Sequence, residues 1–226
     1  MIKEELFERS PVRSFEKATN GGLKAGELGL LTSKKGLGKT SVLVQFGVDT
    51  LLKDKQVVHV SFDQHSSNVI SWYQDIFAEI AKKKNINNIS DLIEDLVRKR
   101  VILNFNQDAV ALPQVVKTMK ALGEGGIHAD CLVIDGVNLS KVTVDCIKAV
   151  SDFAKENGIV VWFSATCDGS DLDSTLAPDL QSLFDCVVHL EPKTDIIEIN
   201  ALKLRDETPR TLSLRLDSKT LLMADK

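Results

Sequence analysis

The sequence predicts an α/β protein, a mainly parallel sheet with helices on both faces, and three observations carry that prediction. Short apolar runs of strand length alternate with segments whose apolar residues recur at helical spacing. A loop containing lysine and glycine, Ser33–Thr40, falls between one such strand and one such helix. The tail from Ile196 onward alternates apolar and polar residues (Ile197, Ile199, Ala201, then Leu212, Leu214, Leu216), which suits antiparallel strands with one solvated face.

The elements follow in order. Residues 1–20 are mixed and charged, broken at Ser10-Pro11, and read as an N-terminal extension; Asn20-Gly21-Gly22 is a turn signal, and residues 21–226 read as a single domain. Glu27–Thr32 is a short apolar strand leading into the loop. Ser41–Leu52 carries Val42, Val44, Phe46, Val48 and Leu51 at helical spacing. Val57–Phe62 is a buried strand, Val69–Ile80 and Ile89–Val97 are helices, and Val101–Leu103 is a short strand. Leu112–Leu122 is a helix stopped by Gly123-Glu124-Gly125-Gly126. Cys131–Asp135 is a strand, Val142–Ala154 a helix ended by Gly158, Ile159–Ser164 a strand, 167–181 a polar acidic stretch, and Cys186–Leu190 a strand. Phe77 and Phe184 belong to the core. Trp72-Tyr73 pack or form a partner surface, with packing favoured; Asp145 lies at the surface.

Composition bounds the function. The 226 residues are 43% hydrophobic and 27% charged, enough for a sizeable core. A formal net charge of −4 argues against a general nucleic-acid coat. The cysteines Cys131, Cys146, Cys167 and Cys186 form no C-x-x-C pair and have no histidine at ligand spacing, so they read as reduced core residues. The first ten residues lack the apolar stretch of a signal peptide, and no apolar run reaches the ~20 residues of a membrane span, which leaves the cytoplasm as the expected compartment.

The strongest motif is Ser33-Lys34-Lys35-Gly36-Leu37-Gly38-Lys39-Thr40. It matches the phosphate-loop pattern G-x-x-x-x-G-K-[ST] at Gly38, Lys39 and Thr40, with Ser33 in place of the first glycine. Small residues let successive amides point at phosphate oxygens, and the following helix adds its N-terminal dipole. Lys39 is placed to neutralise the outer phosphates, Thr40 to offer a hydroxyl to Mg²⁺, and Ser41 continues the cradle. Leu132-Val133-Ile134-Asp135 is an apolar strand ending in a carboxylate, the layout that holds Mg²⁺ beside such a loop. Val60-Ser61-Phe62-Asp63 is a second acidic strand end; Asp63 serves either as the group that polarises an attacking water or as a turn or helix cap.

With these motifs the chain resembles the RecA superfamily of P-loop ATPases, in its KaiC and DnaB-like branch. The resemblance covers nearly all of residues 10–216. It begins at Gly21-Gly22-Leu23-Lys24-Ala25-Gly26-Glu27-Leu28, continues through the phosphate loop, and takes in Ser61-Phe62-Asp63, where the family has Ser-Leu-Glu with a water-activating Glu. Lys203-Leu204-Arg205-Asp206 resembles the family's Lys-x-Arg element, whose cations reach a neighbouring subunit's ATP. Where the helicase branch has a γ-phosphate-sensing Gln after strand four, this chain has Ala165. The resemblance implies a RecA-like sheet of order 5-1-4-3-2 with C-terminal antiparallel additions, ATP and Mg²⁺ as ligands, and homo-oligomers with nucleotide between subunits.

Four functions compete. The first is an oligomeric ATPase whose hydrolysis, slow with Asp63 for Glu, drives a conformational or assembly cycle. The second is a non-hydrolysing ATP-binding regulator or scaffold. A DNA recombinase or helicase motor is disfavoured by Asp168, Asp171, Asp173 and Asp179 and by the lack of Lys or Arg between 166 and 190. A MinD/ParA-like dimer, with Lys34 acting across the interface, is disfavoured by the run at Gly21–Leu28. No protein partner is legible.

Overall fold

In a computed structural model, which describes residues 2–83, 90–105, 111–205 and 210–225, a nine-stranded sheet runs through the molecule. Five parallel strands form its centre: β1 (Leu28–Ser33), β2 (Val57–Ser61), β4 (Cys131–Val137), β5 (Val160–Thr166) and β6 (Cys186–Pro192). They lie in the spatial order β6-β1-β5-β4-β2. Numbering those five strands by sequence gives 5-1-4-3-2, the order expected from the resemblance. The strand β3 (Arg100–Asn104) adds a parallel edge outside β2. Beyond β6 the sheet continues antiparallel through β7 (Ile197–Leu204), β8 (Arg210–Leu216) and β9 (Met223–Asp225).

Alternation across the central strands sorts their side chains into two cores. Leu31, Val57, Val133 and Trp162 face one side of the sheet; Leu30, Val58, Val60, Ile134 and Phe163 face the other. On the first side lies the helix α3 (Lys39–Leu52), whose residues from Ser41 to Asp49 are all buried. A helix apolar nearly all round has to be covered on several sides. Here the cover comes from the sheet, from α4 (Ser66–Lys83), and from two short N-terminal helices, α1 (Ile2–Glu8) and α2 (Val12–Ala18). Phe15 of α2 meets the ring of Phe46 edge-on at 5.0 Å, and Phe46 stacks on Trp162 at 4.4 Å, so one aromatic column ties α2, α3 and β5 together.

On the opposite side lie α6 (Ala111–Glu124) and α7 (Val144–Asn157). Thr143 caps α7 by accepting from the Cys146 amide, and Gly158 ends it in the left-handed conformation. The helix α5 (Ser90–Val97) precedes β3; the predicted start of that helix at Ile89 lies outside the described residues.

Among the remaining expectations, the one for the cysteines needs correction. The acidic stretch 167–181 contains two one-turn helices, α8 (Leu172–Thr175) and α9 (Pro178–Gln181), the first closed by a reciprocal capping pair of Asp171 and Ser174. All four cysteines are free, but only Cys131 and Cys186 are buried core residues. Cys146, in the first turn of α7, and Cys167, just past β5, are half-buried, because both stand where an element begins or ends rather than within its apolar face. Tyr73 is fully buried, Trp72 packs half-buried on the same core, and Asp145 is exposed.

Candidate functional site

The parallel strands end together at one edge of the sheet, and the loop Ser33–Thr40 lies on it. Ser33 is the last residue of β1, paired with Thr166. Its backbone is not in the left-handed region, whereas Gly36 (φ 83°) and Gly38 (φ 91°) are. Serine is therefore tolerated where the motif has glycine: the positive-φ turns fall three and five residues further on, at Gly36 and Gly38, which have no Cβ. Gly38 is the N-cap of α3 and offers no side-chain oxygen, so the first-turn amides of α3 are left for an incoming anion. Lys34 and Lys35 are exposed, and Leu37 is half-buried. The Lys39 ammonium folds back over the loop and donates to Ser33 O, Ser33 Oγ and Lys34 O, each at 3.2 Å. Partial burial pulls its pKa below the usual lysine value, against the pull of Asp135 and Asp63.

Thr40, on the first turn of α3, donates its hydroxyl to Asp135 Oδ2 at 2.8 Å. Asp135 stands near the end of β4, where the ladder with β5 loses register between Ile134 and Val137. Asp135 shares the α3 face with Cys131 and Val133 by strand alternation, and Gly136, at φ 82°, turns the bulge that follows it. Only 1% of Asp135 is exposed, and burial raises its pKa despite hydrogen bonds from Ser164 and Thr40. A buried carboxylate held above its ordinary range is one whose charge awaits a cation, and a hydroxyl plus a carboxylate are the hard oxygen donors Mg²⁺ takes. Among the described residues no group of three or more His, Cys, Asp and Glu side chains gathers for a metal. The pair therefore fits a cation that arrives on a nucleotide and keeps most of its water.

Asp63 follows β2 and lies against Gly136: a Cβ built on that glycine would stand 2.5–2.8 Å from the Asp63 carboxylate. Partial burial, then the neighbouring Asp135, raise its pKa above the ordinary carboxylate value. Ser41 is fully buried and its hydroxyl donates to Leu221 O at 2.9 Å, so its main chain rather than its side chain faces the loop's mouth.

Lys203 and Arg205 lie elsewhere. Lys203 lies in β7 and Arg205 just past its end; β7 runs antiparallel to β6, two strands from β1, so Lys203 is level with the middle of β1 at Leu30 and Arg205 reaches Glu27 below its start, at the end of the strand away from the loop. Lys203 Nζ donates to the carbonyls of Gln181 and Phe184, both at 2.7 Å. Arg205 grips both carboxylate oxygens of Glu27 at 2.8 Å and the Gly22 carbonyl at 2.7 Å. Asp206 lies outside the described residues.

Three side chains at the site carried no sequence signal. Ser164, in register with Leu31, donates to Asp135 Oδ1 and accepts from the Gly136 amide at 2.9 Å. Gln64 donates from Nε2 to Thr40 Oγ1 at 2.8 Å. His59, fully buried, turns Nδ1 to the Tyr73 hydroxyl at 3.2 Å and Nε2 toward Asp135 at 3.9 Å; burial and Arg100 push its pKa down to about 3, so it is neutral. Ala165 is buried on the opposite face of the sheet, among the core with Phe163 and Val187, where a longer side chain could not reach the loop.

The family model for the KaiC ATPase matches residues 9–199. The chain belongs to the KaiC ATPase family. It is a nucleotide-binding ATPase of the RecA superfamily, and its mostly parallel sheet with antiparallel C-terminal strands has the RecA-like form. No curated protein matches the chain. No helix among the described residues of this KaiC-family chain is long and apolar enough to cross a membrane.

Proposed function

We propose that this KaiC-family chain binds Mg·ATP on Ser33–Ser41 and hydrolyses it slowly, as one ATP-binding domain over residues 21–226 of a cytoplasmic homo-oligomer, to drive a conformational or assembly cycle. The observation that carries the reading is the 2.8 Å hydrogen bond from Thr40 to Asp135, which joins the phosphate loop to the acidic strand end in one oxygen donor set.

The chemistry follows from the residues. Amides at the start of α3 and the loop backbone hold the phosphates, and Lys39 leaves its resting carbonyls to neutralise them. Thr40 and Asp135 would hold Mg²⁺, which when bound would supply the positive charge that polarises the phosphate oxygens. Asp63 orients the attacking water, and its raised pKa brings it nearer to that of a working base. Being one methylene shorter than Glu, its carboxylate reaches less far toward the phosphate, which slows turnover. Lys203 and Arg205 point away from their own loop and act on the nucleotide of a neighbouring subunit.

A second reading, ATP binding without turnover, is favoured by one observation: Lys203 and Arg205 are both engaged inside their own chain. Calorimetry with Mg·ATP tests the shared claim; heat of binding that disappears in Lys39→Ala is expected, and no uptake by the wild type overturns both readings. Steady-state phosphate release then separates them. Turnover above that of Asp63→Asn supports hydrolysis, and equal rates leave a binding-only switch. Sedimentation with and without nucleotide tests assembly.

A further inference from the structure

We propose that Gln64 is a phosphoryl-binding residue, whose side-chain amide leaves Thr40 when nucleotide arrives and donates to an oxygen of the terminal phosphate. The inference rests on the phosphate-loop reading above and deepens it, by assigning the group that distinguishes a nucleoside triphosphate from a diphosphate.

Gln64 has its main chain held at two points and its side chain on Thr40. Its amide N–H donates to Ser61 Oγ at 3.1 Å, and its carbonyl accepts from Asn104 Nδ2, which also donates to Ser61 O at 3.2 Å. Strand β2 and the end of the edge strand β3 thus clamp the backbone from both sides. The carboxamide rests on Thr40 Oγ1 at 2.8 Å. The orientation of that amide is settled by hydrogen counting. Thr40 has one hydroxyl hydrogen and gives it to Asp135, so it can only accept from Gln64, which must present an N–H.

That resting place is lost once a cation comes to Thr40. A second lone pair remains for the cation, but the N–H dipole on the same oxygen presents its positive end to it. The two repel, and the amide has to move. Lys39 behaves alike: its ammonium rests on Ser33 and Lys34 oxygens that nucleotide would replace. Each is a donor lodged on an internal acceptor of the site.

The neighbourhood sets the new partner. Asp63 lies against Gly136 and Asp135 bonds Thr40, and both carboxyl groups repel an arriving anionic oxygen. A phosphoryl group projecting beyond the loop toward β2 therefore needs a donor on the β2 side. Gln64, next to Asp63 at that strand end, is a donor already within hydrogen-bond reach of the metal-binding hydroxyl. A diphosphate, held by the loop and the start of α3, stops short of it.

The test uses the full chain with Mg²⁺ and either ADP or a non-hydrolysable ATP analogue, by calorimetry. Gln64→Met keeps the length and removes the amide; Gln64→Glu keeps the length and replaces the donor with an acceptor. Both are expected to weaken analogue binding about tenfold, the value of one lost charge-assisted hydrogen bond, while ADP affinity stays within about twofold. The nucleotide-free melting temperature of each variant separates this from mere loosening of β2, which would lower affinity for both ligands. Equal loss for the two ligands, no loss for either, or retained discrimination in Gln64→Glu overturns the proposal. Wild-type protein that binds neither ligand overturns the phosphate-loop reading itself, and a Lys39→Ala variant that loses both upholds that reading independently of Gln64.

Discussion

Arg205 closes a two-pronged salt bridge on Glu27, Nε to Oε1 and NH2 to Oε2, both at 2.8 Å. The pair joins the end of β7 to the start of β1 across the bottom of the sheet. With side chains 24% and 18% exposed, it is sheltered enough to outlast screening, and Arg205→Ala should cost about 1–2 kcal/mol of stability. Burial pulls the Glu27 pKa up, but the Arg205 hydrogen bonds outweigh this and hold it below the ordinary value. A depressed carboxyl contributes stability above its unfolded pKa and loses it as pH falls through the folded one. The difference in melting temperature between wild type and Arg205→Ala should therefore be full at pH 7 and shrink below about pH 4. A difference independent of pH would mean the bridge contributes nothing as an ion pair.

Asp135 carries the opposite sign. Burial raises its pKa, so the folded nucleotide-free protein binds its proton more readily than the unfolded chain does. That contribution favours folding at acid pH and turns against it as pH rises from the ordinary carboxylate range to the folded value. Asp135→Asn should accordingly raise the nucleotide-free melting temperature at pH 7, by about 2–4 °C for each kcal/mol relieved. The same variant should lose any stabilisation that Mg·ATP gives the wild type. Thermal scans with and without ligand read both effects, and a variant less stable than wild type without ligand would refute the account.

The parts of the molecule that could be read from sequence are those whose cause is local. The loop Ser33–Thr40, the strand before it and the helix after it announce themselves by composition, and the family resemblance supplied the strand order. The helices α1 and α2 escaped notice because each is seven residues long and buries only one or two side chains, such as Leu6 and Phe15, too few to show a period. The helices α8 and α9 are four residues each, the first closed by its Asp171–Ser174 capping box and the second, uncapped, opened by Pro178 and burying only Leu180, too short for any period to show. At the site, Asp135 was legible and its support was not. Ser164 and Gln64 reach Asp135 and Thr40 only because β5 and β2 run beside β4 in a particular register, a relationship of sequence separation 29 for Ser164 and Asp135. The position of Arg205 also depends on the antiparallel return of β7.

Gly136 should resist substitution for two reasons that one experiment can part. Its φ of 82° costs a residue with a Cβ about 1–2 kcal/mol. Its Cβ would also fall 2.5–2.8 Å from the Asp63 carboxylate, which is the mobile end of a rim side chain and would swing away. Gly136→Ala is thus expected to lower the melting temperature modestly and to cut ATP turnover about tenfold or more by misplacing Asp63, with ATP affinity little changed. Affinity falling in step with turnover would show that the strain reaches Asp135 instead.

Gln45 links the phosphate-loop helix to the C-terminal hairpin, and its loss should be felt at the loop. From inside α3, with 1% of its surface exposed, it donates to Leu221 O at 2.9 Å and accepts from the Met223 amide at 2.8 Å. Leu216 and Leu221 in turn lie under Gly38, within 3.2–3.9 Å of where a Cβ there would stand. The hairpin of β8 and β9 is thereby a floor for the turn that begins α3. In Gln45→Leu the Met223 amide loses its acceptor in a buried place, while Leu221 O keeps the Ser41 hydroxyl, for a net cost of about 2–3 kcal/mol. The freed hairpin should expose β9 to amide hydrogen exchange first, and the loop should follow, weakening Mg·ATP binding although Gln45 is not expected to touch the nucleotide. Exchange that quickens in β9 with nucleotide affinity unchanged would show that the floor and the loop are independent.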